Sequence, residues 1–196
     1  MTKLCLGGSF NPIHIGHLIV ARAVAEARGF GKVVLVPSAR PPHKEATADL
    51  ADACHRLAMC QLVTSCDPFF EVEALELERE GPSYTLETVR ALKGRGWGEV
   101  AWLIGADMAQ ILPSWYRIDD LLREATLVLA ERPGHVIDWD ALPARLGELK
   151  QQVVSAPRLD ISASAIRARV RAGKSIQYLV TPEVERYVLD HRLYGV

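Results

Sequence analysis

Apolar residues along the chain fall into two alternating patterns, short continuous runs and longer stretches at helical spacing. Leu4, Cys5 and Leu6 predict a first strand that ends at Gly7 and Gly8, and a helix follows from about Gly16 to Arg28. A β-branched run over 32–37 predicts a second buried strand, so the chain opens with a βαβ unit of ordinary length. Leu50, Ala53, Leu57 and Cys60 recur at helical spacing inside a predicted helix over 47–64. Over 69–77 a strand at a sheet edge is predicted, with Glu71, Glu73, Glu76 and Glu78 mostly alternating with apolar residues. Its glutamates read as a solvated face rather than an acid–base site.

A turn over 81–85 leads into a helix through about Leu92, stopped by Gly94 and Gly96. Residues 99–105 predict another buried strand, running into Asp107 and a short helix that stops at Pro113. A strand is predicted over 126–130, helix over 139–150 interrupted by Pro143, and a last strand over 152–155. A helix over 166–172 ends at Gly173. The final helix has Thr181 as N-cap, Pro182 at its first position and Glu183 in its first turn. Strands alternating with helices give an α/β fold with a mostly parallel twisted sheet and helices on both faces. No repeat or long linker divides the chain, so 1–196 is expected to be one domain, with a helical part from about 161 packed on it.

The 196 residues suffice for a core that buries roughly 70% of the unfolded surface. Net charge is −1, which leaves no global field to draw in nucleic acid or an anionic membrane. Any anionic ligand must be held by local groups. With no apolar run of membrane-spanning length and no signal-peptide pattern, a cytoplasmic protein is the expectation. Cys5, Cys54, Cys60 and Cys66 form no Cys-x-x-Cys pair and read as buried, inert thiols.

The candidate chemistry begins where the first strand ends. Gly7, Gly8, Ser9, Phe10, Asn11 and Pro12 form a turn before His14, Gly16 and His17. Glycines without a Cβ let a ligand approach, and the N–H groups at a helix start make an anion site. His14 and His17 can share one helix face. They could instead be two zinc ligands, although no third and fourth ligand stand at suitable spacing, or one of them could cap the helix. Gly7-Gly8, Pro37-Ser38 and Gly105-Ala106-Asp107 all follow strands and should line one rim of the sheet. Ala168 to Ser175 approach a P-loop, but the residues before Gly173 read as helix, so the match is rejected. Downstream, Ser162 and Ser164 precede a helix that carries Arg167. The hydroxyls can cap it or bind phosphate oxygens, and Arg167 can supply a forked cation.

The stretch from Gly8 to His17 resembles the signature of the (His/Thr)-x-Gly-His nucleotidyltransferases. Ile161 to Arg167 is similar to their Ile-Ser-Ser-Thr-x-Ile-Arg segment, with Ala163 and Ser164 departing from it. The segments Pro41-Pro42-His43-Lys44, Pro82-Ser83-Tyr84-Thr85, Gly105-Ala106-Asp107 and Leu112-Pro113-Ser114-Trp115 look like the bacterial nicotinate-nucleotide adenylyltransferase branch, as do 175–184. The resemblance implies a Rossmann-like fold and transfer of the adenylyl group of ATP to nicotinate mononucleotide. The products would be deamido-NAD and pyrophosphate. Nicotinamide mononucleotide or phosphopantetheine is the alternative acceptor, and a non-catalytic nucleotide sensor the alternative class.

The same resemblance implies roles. His14, His17, Lys44 and Arg167 would meet the transferring phosphates. Gly7, Gly8, Ser9, Phe10, His43, Gly105, Asp107, Ile161, Ser162 and Ser164 would complete the ATP site. Asp107 would accept from a ribose hydroxyl, or else cap its helix. Ser83, Tyr84 and Thr85 would bind the acceptor, with Trp115 as a stacking platform or, alternatively, a core residue. Mg²⁺ would be held mainly by ATP phosphates and water. The expected partners are ATP and nicotinate mononucleotide, with no nucleic acid and no membrane, and a homo-oligomer is left open.

Overall fold

A computed structural model describes residues 2–41, 49–131 and 137–195. The strands are β1 (Lys3–Gly8), β2 (Lys32–Pro37), β3 (Phe70–Val72), β4 (Ala101–Gly105), β5 (Thr126–Glu131) and β6 (Val153–Ser155). The helices are α1 (Ile15–Ala27), α2 (Ala53–Cys66), α3 (Thr85–Gly94), α4 (Ile118–Glu124), α5 (Ala163–Arg171) and α6 (Pro182–Asp190). Two 3₁₀ helices cover Ala106–Ser114 and Ala144–Gln152.

The strands form one sheet in the order β3-β2-β1-β4-β5-β6. The pairs β1–β4, β4–β5 and β5–β6 are parallel. This is the doubly wound order, in which the chain reverses direction between β1 and β4. Right-handed crossovers on the two sides of that reversal place helices on opposite faces. The central strands are buried because both faces are covered: Leu4, Cys5, Val33 to Val36, and Leu127 to Leu129 are all nearly inaccessible.

The chain forms two compact units: Met1–Gly7 with Val20–Val34 and Tyr84–Arg158, and Gly8–Ile19 with Leu35–Ser83 and Leu159–Val196. β1 and β2 each cross the division. The C-terminal helices α5 and α6 belong to the second unit, with the residues that follow β1.

Several local expectations change. β3 is a three-residue edge strand, not a strand over 69–77. After the Glu73 N–H bonds to the Leu35 carbonyl, the chain turns, with Leu77 bonding back to Ala74. That turn buries Leu75 and Glu76, so Glu76 is not on a solvated face. Residues 106–114 wind as 3₁₀ helix and include Pro113 rather than stopping there. Pro143 serves as N-cap of the second 3₁₀ helix instead of interrupting a helix. α5 starts at Ala163, three residues earlier than 166, because Ser162 caps it. Cys5 and Cys60 are buried, but Cys54 and Cys66, near the two ends of α2, are exposed.

Candidate active site

The segment between β1 and α1 is held from beneath. Phe10 adopts a left-handed backbone conformation (φ 46°), which costs a non-glycine residue roughly 1–2 kcal/mol. Its ring is buried and lies against Gly8, where a Cβ would come within 3.1 Å of the ring. Gly7 is needed for a different neighbour: a Cβ there would sit 2.5 Å from the Trp102 indole on β4. Neither glycine has positive φ. Their missing side chains therefore make room for aromatic rings, a purpose the sequence reading did not assign.

His14 is the residue before α1, and its carbonyl accepts from the His17 N–H at 2.9 Å. The His14 N–H in turn donates to Nδ1 of His17 at 3.3 Å. The second bond is one half of a capping box, with an imidazole where glutamate usually stands, while the first goes to the His14 carbonyl rather than to its side chain. With Nδ1 as acceptor, the proton of a neutral His17 ring sits on Nε2. The two imidazoles stack, centroids 3.6 Å apart, and the Phe10 ring meets His17 edge-on at 5.4 Å. His14 is buried and His17 half-buried. Gly16 allows this stack: a Cβ there would lie 3.1 Å from Nδ1 of His14 and 3.6 Å from Cβ of Ile161. The Ile15 N–H bonds to the Leu179 carbonyl, tying the helix start to the turn before α6.

α5 brings Arg167 to the same place. Its Nη1 donates to the Asn11 carbonyl at 2.9 Å. The Ser162 hydroxyl accepts from the Ala165 N–H at 3.2 Å as N-cap, and it is bonded to the Ser164 hydroxyl at 3.1 Å. Ser162 is thus occupied as a cap and Ser164 is the exposed hydroxyl beyond it. Gly8, Ser9, Phe10, His14, His17, Ile161, Ser162, Ser164 and Arg167 all belong to the second compact unit.

A residue absent from the sequence reading joins them. Arg56 on α2 is 1% exposed. Its guanidinium donates to the carbonyls of Ser9 at 2.8 Å, Ser38 at 2.7 Å and Ala51 at 2.9 Å. Burial pushes its pKa below the usual arginine value, and the surrounding carbonyls serve it as charge-assisted acceptors. In the sequence it is one arginine in a helix, with no signal to set it apart from a surface cation. Asn11, which the sequence places in the turn before His14, fixes the same segment: its side chain donates to the Asp49 carbonyl and accepts from the Ala51 N–H. Ser83, also in this unit, exchanges two bonds with Arg40, one through its hydroxyl. It pins the segment that leads into 42–48. His43 and Lys44 lie outside the described residues.

In the first unit, Asp107 lies in the first turn of a 3₁₀ helix, exposed, with its carboxylate over Gly105. Gly105 is the N-cap, and no side chain caps that helix. Tyr84 is the N-cap residue of α3 and likewise provides no side-chain cap. Its ring stacks on exposed Tyr116 at 4.3 Å, a partner the sequence reading missed. Trp115 is half-buried, so it is not a residue of the deep core.

The chain has recognisable relatives. The cytidylyltransferase-like family model matches residues 5–169. A probable nicotinate-nucleotide adenylyltransferase of Bacillus pumilus is 39% identical over 198 residues, covering 99% of both chains. The nicotinate-nucleotide adenylyltransferase of Bacillus subtilis is 36% identical, covering 96% of this chain and 95% of its own. The chain belongs to the nicotinate-nucleotide adenylyltransferase family. Among solved structures, the nicotinic acid mononucleotide adenylyltransferase of Plasmodium falciparum complexed with NaAD superimposes with a TM-score of 0.74. At 19% identity over 99% of this chain and 98% of that one, the likeness shows the shared fold of the family.

Proposed function

We propose that the protein transfers the adenylyl group of ATP to nicotinate mononucleotide, forming deamido-NAD and releasing pyrophosphate. The observation that carries this is the joining of the His14–His17 pair and Arg167 through one loop, in a chain whose full-length relatives bear that activity's name. In the reaction a 5′-phosphate oxygen of the mononucleotide forms a bond to the α-phosphorus of ATP. The bond from that phosphorus to the bridging oxygen breaks, and the electron pair leaves with pyrophosphate. The nucleophile is already an anion, so no general base is required. The protein's work is to hold two polyanions in line and stabilise charge on the transferring group.

In this reading the Nε2–H of His17, the Arg167 guanidinium and the Ser164 hydroxyl meet the phosphates, at a helix start that carries about half a positive charge. Lys44 and His43 would cover them. Gly105 and Asp107 would contact the ATP ribose, and Tyr84, Thr85 and Trp115 the pyridine ring of the acceptor. Among the described residues no group of three His, Cys, Asp or Glu side chains could hold a metal ion. Mg²⁺ is read as part of the substrate, arriving on the ATP phosphates, as the resemblance implies. Among the described residues no helix is long and apolar enough to cross a membrane.

The purified protein with ATP, Mg²⁺ and nicotinate mononucleotide should yield deamido-NAD by mass and one pyrophosphate per turnover. Product from phosphopantetheine alone, or from no acceptor, would defeat the proposal.

A further inference from the structure

Arginine is almost never fully buried without a partner, and Arg56 is buried against backbone carbonyls of three separate loop positions. Two of them, Ser9 and Ser38, accept from the same Nη1. The Ala39 carbonyl lies 3.5 Å from Nη2. This guanidinium thus ties the residues that follow β1 to those that follow β2.

We propose that Arg56 is a positioning residue for adenylyl transfer: it holds the Ser9 carbonyl inward, keeps Phe10 in its left-handed conformation and, through the Phe10 ring edge, orients His17. The proposal rests on the activity read above. The links are short. Arg56 Nη1 meets the Ser9 carbonyl at 2.8 Å. The peptide that carries this carbonyl is planar, so fixing its oxygen also fixes the direction of the Phe10 N–H on the opposite side. A non-glycine residue at φ 46° persists only where its surroundings impose it. The ring so placed meets His17 in a T-shaped contact at 5.4 Å, and His17 is also stacked on His14 at 3.6 Å. A lysine cannot replace the fork. One ammonium presents its donors at a single point, whereas Nε and Nη1 here serve Ala51 on one side and the two loops on the other.

The test is a double-mutant cycle on turnover at saturating substrates. Arg56→Lys should lower kcat about tenfold, in keeping with the cost of small misplacements, and leave KM for ATP within about twofold. In a His17→Ala background the same change should cost nothing further, because the group it positions is gone. Phe10→Leu keeps Arg56 but removes the aromatic ring, and should lower kcat in the wild-type background while costing no further kcat in the His17→Ala background. It decides the matter should the Arg56 variant fail to fold. In side-chain nitrogen NMR spectra, the His17 resonances should move in either variant while those of His191 stay. Losses that add in the cycle, a loss carried by KM alone, or unmoved His17 resonances would overturn the proposal. If the wild-type protein forms no dinucleotide, the functional reading has failed, and the His17 spectra alone decide whether the relay exists.

Discussion

His17 accepts the His14 N–H at its Nδ1, so the ring caps the start of α1 and keeps Nε2 for the phosphate contact proposed above. The sequence raised both readings; the geometry shows the capping contact, and the phosphate contact belongs to the proposed function. Removing the ring should therefore have two effects of different size. His17→Ala should reduce kcat about a hundredfold or more, the usual loss for a donor that meets transition-state charge. Loss of the cap should cost only about 1 kcal/mol of stability. Near-normal turnover in the folded variant would remove His17 from the mechanism. Gly16 is a separate case. A Cβ there would reach 3.1 Å from the buried His14 ring, which the His17 stack prevents from retreating. Gly16→Ala should lower kcat about tenfold, as expected for a small displacement of a reacting group. Comparable turnover in glycine and alanine forms would show that the ring yields.

At the scale of elements, β1, β2, α1 and α6 were legible because their patterns are long or their caps explicit. Thr181 accepts from the Val184 N–H, with Pro182 following it. α4 was not legible: seven residues are too few for a helical period to stand out, and its N-cap, Arg117, is left-handed rather than a capping residue type. β3 was overextended because alternation continues into a turn that buries Leu75 and Glu76. Arg56 shows the larger limit. Its partners are backbone carbonyls, and a backbone acceptor leaves no mark on the sequence. The same holds for Gly7, whose neighbour is Trp102 on β4, far along the chain. Gly7→Ala would set a methyl 2.5 Å from that indole inside the β1–β4 pairing. Overpacking of this kind typically costs about 1–3 kcal/mol. A denaturant melt should show that loss, and an unchanged midpoint would mean that the indole swings aside.

At the scale of the whole molecule, a net charge of −1 means that two polyanionic substrates are captured by local groups and not by a general field. The choice of acceptor must then be made by a few donors. α3 begins at Thr85 without a side-chain cap, so the first N–H groups of a ten-residue helix have no hydroxyl or carboxylate supplied by their N-cap residue. The proposed acceptor differs from its nearest competitor by a carboxylate in place of an amide. A carboxylate presents only acceptors to such a helix start and is favoured by its dipole. An amide would turn its N–H₂ toward N–H donors and leave one of them unpaired. An unsatisfied buried donor costs about 1–3 kcal/mol, and charge-assisted bonds to the carboxylate widen the gap. Nicotinate mononucleotide should therefore exceed nicotinamide mononucleotide in kcat/KM by about tenfold to a hundredfold or more. The comparison requires both mononucleotides at the same ATP and Mg²⁺ concentrations. Equal constants, or a preference for the nicotinamide form, would refute the acceptor assignment and leave adenylyl transfer itself standing. The two failures are separable, because the proposal assigns the choice of acceptor to the start of α3 and the phosphate chemistry to His17 and Arg167.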